Sequence, residues 1–469
     1  MLEGVRPRRR RMLLRGRLTL LAALVLAGGL VAALLAGGDE QVAAASVDVS
    51  APPEEPAPVS TPQPDAAPAA PERALSPRGR LAAGALAAPS AREEFQELRI
   101  VDGRLERLPT RGDEMRLRYT LDPELSDAVW KALERGRFDM AHVVVMDPDT
   151  GAVLAYASTD PVHFPPDKTY PAASLVKVIT AAATLDRAPE AAHETCHFVG
   201  SPWRFSRARL RSPERGNEAD MRKALATSNN QCFARWAVMH VGPNAMLGAI
   251  DRFGMLTAPA LGHPGGRAKP PVDEFALAEL GSGLDGLEIT PLHAAQLAAT
   301  LASGRLVHPR WVAEAWDPQG QRVALPGAEA GRQVLTPALA DQLRGWLVDT
   351  TVRGTARRSF RIRGGRPLLP GVPVAGKTGS LNGTDPKGHY EWFIGVAPAD
   401  HPKLAIATVA VQGAHWWWSA SRLAAEVLHE AFCPRGKCSP DAVDHLRTPL
   451  AADAPPPTVV PPLASPSAG

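Results

Sequence analysis

A serine and a lysine one helical turn apart could together carry out nucleophilic catalysis. Ser174 and Lys177 are three positions apart, so they would share one face of a helix. Residues 174–186 are apolar on almost every side, which predicts a helix in the middle of a core. Burial lowers the pKa of a lysine, and a neutral lysine can take the proton of a serine hydroxyl. Taken alone, the pair would be more simply an N-cap serine beside an unrelated lysine.

Two further motifs follow this pair in a fixed order. Ser228, Asn229 and Asn230 form a Ser-x-Asn motif, and Lys-Thr-Gly-Ser occupies positions 377–380. Ser-x-x-Lys, Ser-x-Asn and Lys-Thr-Gly in this order characterise serine acyl-enzymes that react with penicillin. Over residues 119–432 the chain resembles the transpeptidase domain of penicillin-binding proteins, most like a small class B member. Similar runs that add to the resemblance lie at residues 119–125, 143–151, 290–292 and 354–356.

The residues of the first two motifs have distinct expected roles. Ser174 would attack the carbonyl of a D-alanyl-D-alanine peptide to form an acyl-enzyme, and Lys177 would be its base. A nearby Lys377 would lower the pKa of Lys177 further, as a like charge. Ser228 would relay the proton toward the leaving D-alanine, and Asn230 would hydrogen-bond the amide side chain of the substrate.

The third motif is expected to bind the end of the substrate. Lys377 would add positive potential for the terminal carboxylate, which the hydroxyls of Thr378 and Ser380 would bind. Gly379 would leave room for an extended peptide along the strand. The resemblance also implies an oxyanion hole formed by the backbone N–H groups of Ser174 and Ser380. Losing one such donor typically costs about 10² to 10³ in rate.

The pattern of apolar residues predicts an α/β fold of the layered α+β kind, with strands near both ends of the domain and helices between them. The resemblance implies an antiparallel sheet flanked by helices and an all-helical subdomain, as in serine β-lactamases and transpeptidases. Residues 187–220 are expected to be irregular, and residues 254–285 to be a Gly- and Pro-rich loop. The predicted strands are residues 142–146, 152–158, 372–378, 391–396 and 404–411. The predicted helices are residues 126–135, 174–186, 221–227, 231–241, 244–253, 291–301, 336–353 and 419–431.

The N-terminal region indicates a membrane anchor. Residues 1–17 hold seven arginines and one glutamate, and the uncharged run of residues 18–38 is long enough to span a bilayer. Positive residues stay on the cytoplasmic side, so the catalytic domain would face the periplasm from the inner membrane. A cleaved signal peptide is the alternative. We therefore expect a cytoplasmic basic arm at residues 1–17, a transmembrane anchor at residues 18–38 and a Pro- and Ala-rich linker at residues 39–95. A lead-in segment at residues 96–118, the transpeptidase domain at residues 119–438 and a disordered tail at residues 439–469 would follow.

The four cysteines fit an oxidising compartment. Cys433 could pair with Cys438, and Cys196 with Cys232, but four cysteines allow three connectivities, and free buried thiols are a further alternative. Residues 193–197 match the zinc-binding pattern His-Glu-x-x-His. Prolines on both sides leave little room for the helix that this pattern needs, so we expect neither a metal site nor a cofactor.

The expected function is that of a penicillin-binding D,D-transpeptidase in cell-wall synthesis, with peptidoglycan stem peptides as substrates and β-lactams as ligands. Other cell-wall synthesis proteins are candidate partners. Nucleic acid is not, because the net charge of +3 comes from the arginines of residues 1–17. The alternatives are a D,D-carboxypeptidase, a class D-like β-lactamase, or a β-lactam sensor or scaffold that is acylated without turnover. Asn229 replaces the aspartate of class A β-lactamases, which argues mildly against a lactamase.

Overall fold

The computed structural model describes residues 87–109, 114–323, 325, 331–412 and 417–446. The predicted cytoplasmic arm, the predicted membrane anchor and most of the predicted linker lie outside these ranges, as does the chain from residue 447 onward. Within the described ranges, no helix is both long enough and apolar enough to cross a membrane.

The helices and strands of the described residues follow one another in a mixed order. The α-helices are α1 (Arg92–Glu97), α2 (Pro123–Gly136), α3 (Val176–Arg187), α4 (Met221–Thr227), α5 (Asn230–Trp236), α6 (Pro243–Arg252), α7 (Glu274–Ser282), α8 (Pro291–Ser303), α9 (Pro337–Val352) and α10 (Ala420–Phe432). The strands are β1 (Arg99–Val101), β2 (Arg104–Arg107), β3 (Arg116–Tyr119), β4 (Met140–Met146), β5 (Val153–Ser158), β6 (Tyr170–Pro171), β7 (Cys196–Phe198), β8 (Asn217–Ala219), β9 (Arg267–Ala268), β10 (Leu287–Ile289), β11 (Arg305–Leu306), β12 (Val312–Trp316), β13 (Arg322–Val323), β14 (Arg332–Gln333), β15 (Ala375–Thr384), β16 (Lys387–Ala397) and β17 (Leu404–Gln412).

A five-stranded antiparallel sheet carries the fold, in the order β15-β16-β17-β4-β5. Successive side chains of a strand point to opposite faces, so apolar residues on both faces require cover on both sides. In β4, Val143 and Val145 join the core on one face, and Val144 and Met146 join the core on the other. All five strands were predicted from the sequence, although β15 runs well past its predicted end at residue 378.

Helices cover both faces of this sheet. The helices α2 and α10 pack against each other and contribute to the core that contains Val143. On the other face, α8 crosses β16, β17 and β4, and it is buried from Pro291 to Leu301. The side chain of Thr290 begins α8 by accepting a hydrogen bond from the backbone N–H of His293. The predicted mixed α/β fold with an antiparallel sheet is therefore confirmed.

The helix α3 is the centre of a separate group of helices. Each of its residues from Val176 to Leu185 is buried, as the apolar sequence all round it predicted. It contacts α4, α5, α6, α7 and α9, so neighbouring helices provide much of its burial. This group corresponds to the predicted all-helical subdomain.

The prediction of a loop over residues 254–285 is wrong, because α7 lies within it. The side chain of Asp273 caps the start of α7 by accepting a hydrogen bond from the N–H of Ala276 at 2.7 Å. Gly283 ends it with a left-handed φ of +71°. Residues 187–220 also contain regular structure, since β7 and β8 pair antiparallel there. The glycines and prolines around α7 obscured nine residues that are mostly good helix formers.

The folded region extends past the predicted boundaries at both ends. The helix α1 begins within the predicted linker of residues 39–95 and ends in the predicted lead-in segment. A 3₁₀ helix, Pro440–Leu446, lies within the predicted disordered tail of residues 439–469, and its Val443 and Leu446 are buried.

Two disulfide bonds use all four cysteines. Cys196 is bonded to Cys232, and Cys433 to Cys438, which selects one of the three connectivities open to the sequence. The His-Glu-x-x-His pattern at residues 193–197 spans the end of a 3₁₀ turn and the start of β7, so it has no helix that would place both histidines on one face. Among the described residues, one group of three side chains is close enough together to hold a metal ion: His429, Cys433 and Cys438. Two of its three candidate ligand atoms are the sulfurs of the Cys433–Cys438 disulfide.

Candidate active site

The candidate nucleophile lies in a turn that its neighbours hold tightly. Ser174 is half-buried in the 3₁₀ turn Ala173–Leu175, directly before α3. Ala173 has a φ of +49°, a left-handed conformation that is uncommon for a residue with a Cβ. A Cβ on Gly283 would lie 2.1 Å from the carbonyl oxygen of Ala173, and a Cβ on Gly379 would lie 3.4 Å from Ala173 Cβ. Two glycines therefore let α7 and β15 approach this turn closely.

Lys177 is the partner that the Ser-x-x-Lys spacing predicted. Its side chain is fully buried, and its Nζ lies 2.6 Å from Ser174 Oγ. The same Nζ lies 2.7 Å from Asn230 Oδ1 and 2.5 Å from the carbonyl oxygen of Ser282. Burial holds the pKa of Lys177 well below its usual range, and the nearby charge of Lys377 lowers the pKa further. The site therefore favours the neutral amine.

The three partners of Lys177 fix the direction of its hydrogen bonds. A neutral amine has two N–H donors and one lone pair. Asn230 Oδ1 and the carbonyl oxygen of Ser282 can only accept, so they take the two N–H groups. The protonated amine donates to Ser174 Oγ, whereas in the neutral amine the lone pair faces Oγ at 2.6 Å and the Ser174 hydroxyl can donate to it. This arrangement is what removal of the Ser174 proton requires.

The second lysine contacts the serine of the Ser-x-Asn motif. Ser228 joins α4 to Asn229 and α5 in a left-handed conformation, with a φ of +56°. Its Oγ accepts a hydrogen bond from Lys377 Nζ at 2.9 Å, and the same Nζ donates to the carbonyl oxygen of Thr378 at 2.7 Å. Complete burial lowers the pKa of Lys377 to about 7. A lysine with such a pKa is only partly protonated near neutral pH, so the positive potential predicted for it is only partial there.

Asn230 holds the base in addition to its predicted role toward the substrate. Its Oδ1 accepts from Lys177, and its Nδ2 donates to the carbonyl oxygen of Trp203 at 2.6 Å. The indole N–H of Trp203 donates in turn to the carbonyl oxygen of Thr227 at 2.9 Å. The predicted hydrogen bond from Asn230 to a substrate amide stays a prediction.

The third motif carries two hydroxyl groups that are at least partly accessible to solvent. Thr378 is half-buried and Ser380 is exposed, as binding of a carboxylate would require. Thr355, which the sequence analysis assigned no role, places its Oγ1 2.6 Å from Thr378 Oγ1. A Cβ on Gly354 would lie 2.2 Å from the carbonyl oxygen of Ala226, so only glycine lets the Thr355 segment approach the end of α4 so closely. The signal that could have identified Thr355 is this Gly-Thr pair within the run at residues 354–356.

Gly379 has a packing role in addition to the predicted one. Its predicted role, leaving space for a peptide along the strand, stays a prediction. A Cβ there would lie 3.3 Å from Trp392 Cβ and 3.4 Å from the carbonyl oxygen of Ala172. Gly379 therefore serves the close approach of β15 to the turn that carries Ser174.

A cleft of about 720 Å³ begins beside Ala173 and follows β15 beyond Ser380. β15 is an edge strand of the sheet, so it can accept another strand. Side chains of both charges line the cleft and form three ion pairs: Lys168 with Asp385, Arg267 with Glu288 and Lys269 with Asp285. All six side chains are more than a third exposed, so these pairs contribute little to stability.

Comparison with known proteins agrees with this geometry. Residues 141–432 match the family of penicillin binding protein transpeptidase domains. Peptidoglycan D,D-transpeptidase PbpA of Mycobacterium tuberculosis is 27% identical over 338 residues, which cover 63% of this chain and 67% of that protein. A crystal structure of PBPA from the same organism has a TM-score of 0.55 at 25% identity, covering 66% of this chain and 81% of that one. An imipenem acyl-enzyme complex of penicillin-binding protein A from M. tuberculosis shows the same fold, with a TM-score of 0.56 at 24% identity over 67% of this chain and 79% of that one.

The matched region contains the nucleophile's helix, the Ser-x-Asn turn and the Lys-Thr-Gly strand, and it covers more than half of the chain. The chain therefore belongs to the penicillin-binding protein transpeptidase family, as its three motifs predicted.

Proposed function

We propose that this chain is a serine D,D-transpeptidase that cross-links peptidoglycan stem peptides during cell-wall synthesis. The observation that carries the proposal is the contact of 2.6 Å between Ser174 Oγ and a buried Lys177 whose two N–H groups are already occupied. Family membership supports the reaction class, and the D,D-transpeptidase named PbpA supports the substrate class. β-Lactams are proposed to acylate the same serine.

The reaction takes place in two transfers. Lys177 takes the proton of Ser174, Oγ attacks the penultimate D-alanyl carbonyl, and the C–N bond to the last D-alanine breaks as the ester forms. Lys177 then gives this proton through Ser228, which accepts a hydrogen bond from Lys377, to the nitrogen of the leaving D-alanine, so Lys177 is neutral again. An amine of a second stem peptide attacks the ester and passes its proton to Lys177. Lys177 returns this proton to Ser174 Oγ as the ester C–O bond breaks, which restores the Ser174 hydroxyl. The backbone N–H groups of Ser174 and Ser380 are the proposed donors to the oxyanion in both transfers.

The donor peptide is proposed to lie along the free edge of β15. Its terminal carboxylate would contact Thr378 and Ser380, and its preceding residues would extend toward Thr384. The cleft supports this direction, because it is lined by Ala173, the neighbour of the nucleophile, and by residues 381–384 of β15. The cleft offers both positive and negative side chains, which suits a peptide that itself carries charged groups.

The domain is proposed to face the periplasm from a single-pass anchor in the inner membrane. The uncharged run of residues 18–38 after an arginine-rich arm supports this placement. Two disulfide bonds also suit an oxidising compartment. Protease digestion of spheroplasts should remove the domain while leaving a short membrane-bound fragment. A domain protected until the cells are lysed would contradict the topology.

The test of function combines acylation with peptide transfer. The purified domain is treated with a fluorescent penicillin, and mass spectrometry of its peptides should place the adduct on Ser174. A D-Ala-D-Ala peptide supplied with a second peptide amine should then give a cross-linked product and free D-alanine. The Ser174→Ala variant is the control and should give neither adduct nor product. An adduct on another residue, or release of D-alanine by water alone, would exclude the proposed transpeptidase.

A further inference from the structure

A disulfide bond lies directly behind the Ser-x-Asn motif. Cys232 is in the first turn of α5, two residues after Asn230, and its side chain is fully buried. The side chain of Asn229 accepts a hydrogen bond from the backbone N–H of Cys232 at 3.2 Å. The sulfur of Cys232 is bonded to Cys196, the first residue of β7. The disulfide therefore links the start of α5 to the start of β7.

The chain that follows β7 wraps around the same helix end. The carbonyl oxygen of Pro202 accepts a hydrogen bond from the backbone N–H of Asn230 at 2.9 Å. The carbonyl oxygen of Trp203 accepts from Asn230 Nδ2 at 2.6 Å, and that of Val199 accepts from Gln231 Nε2 at 3.0 Å. Residues 199–203 thus form a bracing segment whose position depends on where β7 is held.

The strand β8 connects Cys196 to the start of α4, the helix that leads to the Ser-x-Asn turn. Cys196 pairs with Ala219 in the β7–β8 ladder. Asp220, the next residue, caps α4 by accepting a hydrogen bond from the N–H of Lys223 at 2.7 Å. The helix α4 then ends at Ser228. The Ser-x-Asn turn therefore lies between Ala219 and Cys232 in the sequence. Both of these residues are linked to Cys196, Ala219 by strand pairing and Cys232 by the disulfide.

We propose that the Cys196–Cys232 disulfide is a positioning element of the active site, which holds Asn230 and Ser228 against the two lysines. Asn230 Oδ1 contacts Lys177, so movement of α5 changes this contact directly. Ser228, whose Oγ contacts Lys377, lies two residues before Asn230 in the same turn and would be displaced with it. A displacement of about 1 Å can cost on the order of 10² in rate. The inference rests on the acyl-enzyme chemistry proposed above.

The test compares the two disulfides of the chain in the same assay. The Cys196→Ala/Cys232→Ala variant loses the proposed positioning bond. The matched control, Cys433→Ala/Cys438→Ala, loses a disulfide after α10, in the core on the opposite face of the sheet. We expect the limiting rate constant of penicillin acylation to fall at least roughly tenfold in the first variant and to stay unchanged in the control. The final labelled fraction should stay complete in both, whereas a merely structural role would lower the labelled fraction at an unchanged rate.

A third variant separates the covalent bond from the packing of its atoms. Cys196→Ala/Cys232→Val restores apolar volume at the buried site without restoring the link. We expect it to be as slow as the double-alanine variant. A return to the wild-type rate would show that packing alone positions α5, and it would overturn the proposal.

Reduction of folded protein provides the same test without a new side chain. In the Cys433→Ala/Cys438→Ala background, dithiothreitol can reduce only the Cys196–Cys232 bond, giving two thiols while it becomes a cyclic disulfide. The rate should fall as the thiols form and return when they are reoxidised. An unchanged rate after complete reduction would overturn the inference. Absence of acylation in the untreated wild type would instead overturn the proposed function.

Discussion

The carbonyl oxygen of Ser282 lies 2.5 Å from Lys177 Nζ, so a backbone atom at the end of α7 helps to orient the base. The hydroxyl of the same residue points elsewhere and donates to the carbonyl oxygen of Ala278 at 2.7 Å. The contribution of Ser282 to the site therefore depends on the course of the backbone and not on its side chain. Motif comparison of side chains cannot detect a contact of this kind.

Replacement of Lys177 by arginine should be nearly as harmful as replacement by alanine. Arginine keeps a positive charge but does not lose its proton in proteins, so it cannot accept the Ser174 proton. We expect both variants to lose roughly 10² to 10⁴ in the rate constant of penicillin acylation. Ser174→Ala gives the background of the assay. A normal rate in Lys177→Arg would mean that Lys177 serves only as an electrostatic anchor.

Thr355 should contribute to binding through its hydroxyl group. Its Oγ1 is 2.6 Å from Thr378 Oγ1, so Thr355→Val removes a hydrogen-bond partner from a hydroxyl proposed to bind the substrate carboxylate. A hydrogen bond of this kind is worth about 1 kcal/mol, so we expect acylation to slow by roughly fivefold. Thr355→Ser keeps the hydroxyl and should acylate at close to the wild-type rate. Equal rates for the valine and serine variants would show that Thr355 only fills space.

Lys377 should reduce the stability of the domain at neutral pH. Its folded-state pKa is about 7, below the ordinary value of 10.5, so the unfolded chain binds more protons between these two values. The destabilisation is therefore complete below pH 7 and disappears as the pH rises to about 10.5. Lys377→Met should abolish acylation and raise the free energy of unfolding at pH 7, by an amount on the order of 4 kcal/mol.

Denaturant unfolding of the wild type and of Lys377→Met at several pH values measures this difference directly. The advantage of the variant should shrink steadily from pH 7 toward pH 10, because the wild type then no longer has to release a proton on folding. A difference that stays constant over this range would show that Lys377 is not held neutral by burial. A difference that grows with pH would reverse the assigned sign.

The acyl-enzyme should persist in water. Hydrolysis of the ester needs a base beside a water molecule, and class A β-lactamases use a glutamate for this step. Among the described residues, the hydrogen-bond partners of Lys177 are Ser174, Asn230 and the carbonyl oxygen of Ser282, and none of these groups is a carboxylate. Without general-base assistance, hydrolysis should lose roughly 10² to 10⁴ in rate. The labelled domain, freed of excess drug, should therefore keep its label for many minutes and lose it faster when a peptide amine is added. Loss within seconds without an acceptor would identify a β-lactamase.

The sequence was informative where chemistry and local pattern coincide. Met221–Thr227 was predicted with its observed bounds, because the Ser-x-Asn motif was expected to form a turn directly after it, and Ser228 does have a left-handed φ of +56°. The three motifs identified Ser174, Lys177, Ser228 and Lys377, and the structure pairs Ser174 with Lys177 and Ser228 with Lys377. The family predicted from them is confirmed.

Other parts of the site depend on contacts that leave no short motif. The backbone oxygens of Ser282 and Trp203 bind catalytic side chains from segments that were expected to be irregular. A carbonyl group is common to all residue types, so its use depends on the path of the chain in three dimensions. The helix α7 did carry local signals, since Asp273 and Gly283 stand at its two ends.

The close fit at Gly283 limits how this enzyme could escape inhibition by β-lactams. Any side chain there would meet the Ala173 carbonyl at 2.1 Å, and the adjacent Ser282 carbonyl binds Lys177. A substitution that displaced this backbone would disturb the nucleophile and the base together, and cross-linking would fail along with drug binding. Viable resistance should therefore arise at the outer cleft, for example at Asp385 or Arg267, where exposed side chains can change while the catalytic geometry is kept.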